Sequence, residues 1–350
     1  MKTFTKTGIL LIILFGIHLN KNSVQAQKID SLEKVVQNLN NYLLYRNHDT
    51  TYISNYGNEV AVKLLAKNKI NYFTIRDQNN NSKIKYRPAR DLNLGVGVAY
   101  KYFALDLTFS LGLNKNSEFE DPVAFDFQGR LFSSKQFISA TLQYYVGYEL
   151  SNFNGLNNEI NKASTIREDI RTINFGLQYL HAFNYTRFSL KAPFVFNEVQ
   201  KKSAGSIIGG VSFSIFIMDA DSSIVPDEIK SDFDPDLYLI DMNVLNAAVS
   251  VGYMYSFIFK DHFFITLSLI PGINFNGGDY LAESKTRNYN SINIRFKFFT
   301  MNAIGYNGRK FFAGAQLLGE TDFLQLAPKL NLEAGTGQLS LFVGYRFGKK

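Results

Sequence analysis

The 350-residue chain contains no cysteine and no tryptophan, and only seven prolines and four histidines. Without a thiol there is no disulfide scaffold, no thiolate nucleophile, no cysteine-ligated zinc and no iron–sulfur cluster. Charged residues are 19% of the chain, below the usual quarter. Long apolar runs are also missing: mean hydropathy is −0.10, which excludes a helical membrane bundle. What the chain does have is aromatic side chains, 32 Phe and 20 Tyr. A composition this aromatic is not that of a disordered protein.

The first 26 residues read as an address. Lys2 and Lys6 open the chain, Gly8–Leu19 is apolar, and Ser-Val-Gln-Ala at 23–26 offers small residues before a cut after Ala26. This is the pattern of a secretory signal peptide, and the run is too short for a membrane anchor. Its removal takes the net charge from +7 to +4 by deleting three lysines. With no Lys/Arg run in the chain, a pI near 9.2 gives no ground for a nucleic-acid partner. In Lys28–Arg46, Ile29, Leu32, Val35, Val36, Leu39, Leu43 and Leu44 follow helical spacing, which predicts a short amphipathic helix. The organisation expected is therefore a signal peptide at 1–26, a helix and linker at 27–58, and one domain at 59–350.

From about residue 60 the apolar period becomes two. Strands are predicted at Val60–Lys67, Leu92–Tyr100, Phe103–Leu113, Val123–Leu131, Ile138–Tyr148, Ile173–Tyr179, Phe188–Phe196, Val211–Ile217, Val249–Phe259, Phe263–Leu269, Ile292–Phe298, Phe311–Leu317 and Leu339–Phe347. One face of Phe103–Leu113 is wholly Phe and Leu, while the other is Ala104, Asp106, Thr108, Ser110 and Gly112. An apolar face nearly free of charge, on long strands in an exported chain, points to an all-β transmembrane antiparallel barrel rather than a soluble sandwich. Short turns at 101–102, 133–135, 184–186, 260–262 and 307–309 alternate with long polar stretches at 114–122, 149–168, 219–240, 274–290 and 319–335, as the two rims of such a barrel do. Tyr100, Tyr102, Tyr148, Tyr179, Phe259 and Phe263 stand at strand ends as candidate girdle residues.

The expected count is about twelve to fourteen strands. Tracing directions from both ends makes Val211–Ile217 and Val249–Phe259 run the same way. Either a further strand hides in 220–245, with Leu237–Met242 the candidate, or one short turn lies on the opposite rim. The final strand, Leu339–Phe347, ends in an aromatic and resembles the C-terminal signal read by barrel-assembly machinery.

Several short motifs occur in a characteristic order: Asp49-Thr-Thr-Tyr-Ile53, Tyr86-Arg-Pro88 before Asn93-Leu-Gly-Val-Gly97, Asp169-Ile-Arg171, Gln200-Lys-Lys-Ser-Ala-Gly-Ser206 and Asp221-Ser-Ser-Ile-Val-Pro226. Together they resemble the domain-of-unknown-function 4421 family, from about residue 45 to the C-terminus. The resemblance implies an exported outer-membrane barrel from the Bacteroidota and brings no catalytic residue with it.

Function would show on the face opposite the apolar one. Asp106, Asp126, Gln128, Arg130, Gln143, Asn174, Gln178, Lys191, Arg295, Lys297 and Arg346 are the candidate lumen-lining residues. They fit a side-chain network filling a narrow barrel, and they also fit the constriction of a selective pore. Cations outnumber Asp106 and Asp126, so an anionic or neutral small solute is the expected cargo of a pore. A narrow pore or a structural envelope protein is therefore the leading reading. Loop- or helix-mediated binding in the outer membrane is the alternative. A barrel hydrolase acting on lipid ranks below both, because no Gly-x-Ser-x-Gly or His-Glu-x-x-His is present, His181 shares the apolar parity and His262 lies in a turn. Glu118, Glu120 and Asp121, and the Asp219–Asp236 carboxylates, lack EF-hand spacing. No catalytic residue, cofactor or metal is predicted. The partners expected are outer-membrane lipid and, during insertion, the assembly machinery.

Overall fold

The structure is a computed structural model that describes residues 48–88, 92–100, 103–110, 123–152, 161–284 and 287–348. The expected signal peptide and the Lys28–Arg46 helix lie outside these residues. Strands dominate: β1 (Ile53–Asn55), β2 (Val60–Asp77), β3 (Lys83–Pro88), β4 (Asn93–Tyr100), β5 (Phe103–Ser110), β6 (Val123–Phe132), β7 (Gln136–Asn152), β8 (Ile166–Ala182), β9 (Glu198–Gln200), β10 (Ala204–Asp219), β11 (Leu239–Phe259), β12 (Phe263–Ala282), β13 (Arg287–Asn307), β14 (Phe311–Gln325) and β15 (Leu330–Phe347). β1 and β9 form a separate small ladder, and the other strands form one antiparallel sheet. That sheet closes through β15 and β2, paired from Phe347↔Val60 to Leu330↔Asp77. Closure removes the sheet edges, which is what strands need if they are to cross lipid.

Among the described residues the barrel changes strand number along its height. β3 and β4 are two pieces of one path along β2, paired with its upper and lower parts. On the loop side β3 pairs directly with β7, giving a ring of ten. On the opposite side, where β2 begins and β15 ends (the terminal rim), β4, β5 and β6 stand between β2 and β7 instead, which raises the ring to twelve. β5 and β6 touch through a single bridge, Phe103↔Leu131. The expected twelve to fourteen strands are thus reached only at the terminal rim.

The outer wall explains why several predicted long loops are strands. In β11, Leu245, Val249, Val251, Tyr253, Phe257 and Phe259 are exposed outward, while Asn246, Ser250 and Ser256 are buried inward. Above this stretch the faces exchange character: Met242 and Val244 are buried inside, and Asp241 and Asn243 take the outer positions. β15 repeats the exchange, with Leu339, Leu341 and Val343 outward but Leu330 and Leu332 buried within. From Met242 to Phe259 and along β15 the strand phase is kept and only the apolar side changes; β11 carries an irregularity only above this, between Leu239 and Asp241. From Leu245 to Phe259, at about 3.3 Å per residue and a tilt of about 40°, the band rises roughly 35 Å, a hydrocarbon core plus its girdles. Beyond it the barrel is packed like a water-soluble one. Ladders β12–β13 and β14–β15 therefore continue through the stretches 274–290 and 319–335 that the sequence pattern assigns to loops.

Two further expectations are corrected. Phe188–Phe196 is not a strand but a run of tight turns inside the terminal rim. Its Phe188, Leu190, Phe194, Val195 and Phe196 are all buried, and so are the alternating Ser189 and Lys191, so neither side of the segment faces solvent. Pro193 removes a ladder donor, and Phe196 takes a positive φ of 64°. With that strand gone the direction conflict disappears. β8 descends, β10 ascends and β11 descends, and Leu237–Met242 merges into the start of β11. Tyr148 is likewise not a girdle residue. Gly147 adopts φ 90° at a bulge in the β7–β8 ladder, a conformation suited to glycine. The bulge turns Tyr148 inward, 5.3 Å from the Phe73 ring. Phe259 and Phe263 do face outward, and Tyr102 lies outside the described residues.

Both ends of the lumen are filled. At the loop side, residues 220–238 fold inward as a cap, burying Ile224, Val225, Ile229, Phe233 and Leu237 against Phe73, Ile170 and Leu332. At the terminal side the 183–203 connection forms a plug, with Phe188, Phe194 and Phe196 packed on Phe132, Phe312 and Phe342. The Phe196 and Phe312 rings stack 4.7 Å apart. Aromatic contacts of this kind add to area burial.

Candidate functional site

Between cap and plug lies a polar layer in which charges neutralise one another locally. Asp106 of β5 accepts from Lys63 at 3.0 Å and Lys67 at 3.3 Å. Asp126 of β6 pairs with Lys69 at 3.0 Å and accepts from the Tyr145 hydroxyl at 2.6 Å. Gln143 bridges Asp126, Asn71 and Asn174. Arg130 donates to Gln128 at 2.5 Å. Across the lumen Lys297 is fully buried between Glu320 at 2.7 Å and Asp322 at 3.0 Å. A cavity in this layer holds about 50 Å³, lined by Gln143, Asn174, Asn246, Glu320 and Thr336 among others. That is room for a few water molecules.

The residues predicted from alternation fall into two groups. Asp106, Asp126, Gln128, Arg130, Gln143, Asn174, Gln178, Arg295 and Lys297 sit on the inner face, and Arg295 donates to Gln325 near the cap. Lys191 and Arg346 belong to the plug instead. Lys191 comes from the turn segment rather than a strand. Arg346 donates to the carbonyls of Phe196 and Gly308 and to Asn307 Oδ1, fastening β15 to the plug. The sequence reading omits Lys63, Lys67 and Lys69, which share one face of β2. It also omits Glu320 and Asp322, which the pattern assigns to a loop. With these included, six inner-face cations (Lys63, Lys67, Lys69, Arg130, Arg295 and Lys297) stand against four carboxylates (Asp106, Asp126, Glu320 and Asp322), so a cationic excess remains, although Lys63, Lys67, Lys69 and Lys297 are each paired.

A second cluster, not anticipated, lies under the plug. His48 Nε2 is 3.3 Å from Glu198 Oε1 and 3.2 Å from Ser134 Oγ. Ser189 donates its hydroxyl to Glu198 at 2.5 Å, and Lys191 Nζ stands 3.4 Å from the same carboxylate. Glu198 is fully buried. Serine, histidine and carboxylate are together here, but Ser134 and Glu198 face the same ring nitrogen. A proton relay needs them on opposite nitrogens, so the arrangement works as a latch. It ties the chain before β1, the plug and the β6–β7 turn. Only pairing in space could reveal it, because residues 48, 134, 189, 191 and 198 are scattered in sequence.

The latch gives plug docking a pH dependence. Burial pushes the Glu198 carboxyl up, but the hydrogen bond from His48, the charge of Lys191 and the Ser189 hydroxyl outweigh it and hold it at about 2, below its ordinary 4.5. A depressed carboxyl stabilises the folded state above its unfolded value and loses that contribution as pH falls through its folded value. Backbone amide exchange within 184–200 is therefore expected to stay slow down to about pH 4.5 and to accelerate between there and pH 2. A Glu198→Gln variant should lack the step.

A family model described as a domain of unknown function, DUF4421, matches residues 47–347. No curated protein matches the sequence. Among solved structures the chain is similar to the outer membrane protease OmpT of Escherichia coli, at 6% identity and a TM-score of 0.36, over 84% of this chain and 98% of that one. It is also similar to the Pseudomonas putida toluene transporter TodX, at 7% identity and 0.27, over 85% and 93%. The same holds for Pseudomonas aeruginosa OccK1, at 8% identity and 0.18, over 82% and 98%.

Proposed function

The chain belongs to the domain-of-unknown-function 4421 family, and from that premise we propose that it is an outer-membrane barrel, closed at rest, with a structural role in the envelope. The observation that carries this reading is the double seal, with apolar cores packed at both ends of the lumen. Charges inside such a wall are satisfied by pairing and brace it, which is the network reading of the lumen. Export by the signal at 1–26, insertion through the Leu339–Phe347 strand and a collar of membrane lipid around the apolar band complete the proposal. A solute pathway would require both the 220–238 cap and the 183–203 plug to leave, the latter breaking the latch and the aromatic stack together.

Planar-bilayer conductance tests it. The folded wild-type protein is expected to insert without steady current steps. Replacing both 187–197 of the plug and 222–236 of the cap with short Gly-Ser linkers should open ohmic steps through the polar layer, whereas removing either seal alone should not. Steady steps from the wild type would defeat the closed-barrel reading in favour of a narrow pore.

A further inference from the structure

On the outer wall β12 to β15 and β2 leave a groove of about 300 Å³, lined by Ile70, Tyr72, Leu269, Phe298, Gly319 and Gly337 among others. Its size is at the lower end for small-molecule sites. Its origin is local. Thr300, Gly319, Gly337 and Ile70 lie on one register line, and the two neighbouring glycines put no side chain on the wall. At Gly337 a Cβ would sit 2.6 Å from the Leu318 carbonyl oxygen, so the hollow is built into the ladder. At Gly319 the nearest atom would be Thr300 Cγ2 at 3.7 Å, so a side chain can be added there.

Basic side chains gather just above the groove. On β3 the outward positions are Lys83, Lys85 and Arg87, alternating with buried Ile84, Tyr86 and Pro88. The Lys85 ammonium lies 3.5 Å from the centre of the Tyr72 ring, which lines the groove. Arg76 is exposed on β2 and paired in register with Lys83. Two carboxylates share this face: Glu333, which accepts from the Tyr72 hydroxyl at 2.8 Å, and Glu149, opposite Arg87 in the ladder. The four cations outnumber them. The patch sits where the outer face turns from apolar to polar, on the loop side of the barrel.

We propose that this surface binds a phosphorylated, multiply acylated glycolipid of the outer leaflet, an inference that rests on the outer-membrane reading above. One acyl chain lies in the glycine-floored groove. Phosphates on the sugar head meet Arg76, Lys83, Lys85 and Arg87. Cations spread over two strands suit a head carrying more than one phosphate, whereas inorganic phosphate would leave the groove unused. A single-phosphate phospholipid would engage only part of the patch.

The test is native mass spectrometry of the full-length folded protein, titrated with diphosphorylated lipid A, its dephosphorylated form and phosphatidylglycerol. The wild type should take up one diphosphorylated glycolipid in preference to the other two. A Lys85→Glu/Arg87→Glu variant should lose about thirtyfold in affinity, since each basic residue near an anionic lipid surface contributes about fivefold. Gly319→Leu, which fills the groove without a backbone clash, should weaken the glycolipid and leave phosphatidylglycerol unchanged. Equal binding of phosphatidylglycerol, wild-type affinity in both variants, or no adduct on protein that inserts into bilayers would overturn the site alone. A protein that fails to insert into bilayers would overturn the outer-membrane reading and this one with it.

Discussion

Lys297→Met is expected to destabilise the folded barrel by about 3–5 kcal/mol, the cost of removing one partner from a buried ion pair. Lys297 has no exposed surface, and its ammonium is shared by Glu320 and Asp322 on the neighbouring strand. Asn274 donates to Asp322 at 3.2 Å but carries no charge. Methionine fills much of the same volume, so packing is a minor part of the loss. What remains is two carboxylates, two positions apart on β14, with no other cation paired to them among the described residues. Adding Glu320→Gln and Asp322→Asn to the same chain should recover most of the stability, because the uncompensated charge is then gone. Urea titration, followed by the gel-mobility difference between folded and unfolded barrel, reads both results. A single variant as stable as the wild type would show that the triad is solvated rather than buried.

Charges placed on the apolar band come next in size. Val211→Arg and Leu107→Arg should each cost about 2–4 kcal/mol if their side chains stand near the middle of the bilayer. Val211 is 53% exposed and Leu107 57% exposed, and Val211 is flanked in register by Tyr179 and Val249. Thr108→Arg, one residue along from Leu107, points inward instead. It would crowd the Lys63, Lys67 and Arg130 cations, but it would not place a charge in lipid, and its effect should be much smaller. The same urea titration compares all three. Equal losses would refute the assignment of faces.

The band was legible because its rule is simple. Large apolar side chains point outward and small or polar ones inward, so Val249–Phe259 and Leu339–Phe347 could be read residue by residue. The same alternation placed Asp106, Asp126, Arg130, Gln143 and Lys297 inside. The upper barrel was not legible, because there the rule is inverted. Leu330 and Leu332 in β15, or Met242 and Val244 in β11, are buried inward, and the polar residues between them look like loop. Glu320 and Asp322 escaped for that reason. The plug misled in the opposite direction, since Phe188–Phe196 has the composition of a strand. Phe188 and Leu190 do alternate with Ser189 and Lys191, but both sets are buried, the polar ones on Glu198, so period two marks no strand there. The His48 latch has no local signature at all.

The chain has no cysteine, so each thiol introduced along β11 is unique, and a labelling scan from residue 241 to 251 in reconstituted bilayers tests the membrane-spanning wall most directly. The account predicts a change of solvent between residues 243 and 245. Thiols at 241 and 243 should react with an impermeant maleimide. Those at 245, 247, 249 and 251 should be shielded from it and react with a lipid-borne reagent, while 246, 248 and 250 should be protected from both. Odd-numbered positions that react with the impermeant reagent all the way to 251 would contradict it, and the barrel would then stand in water.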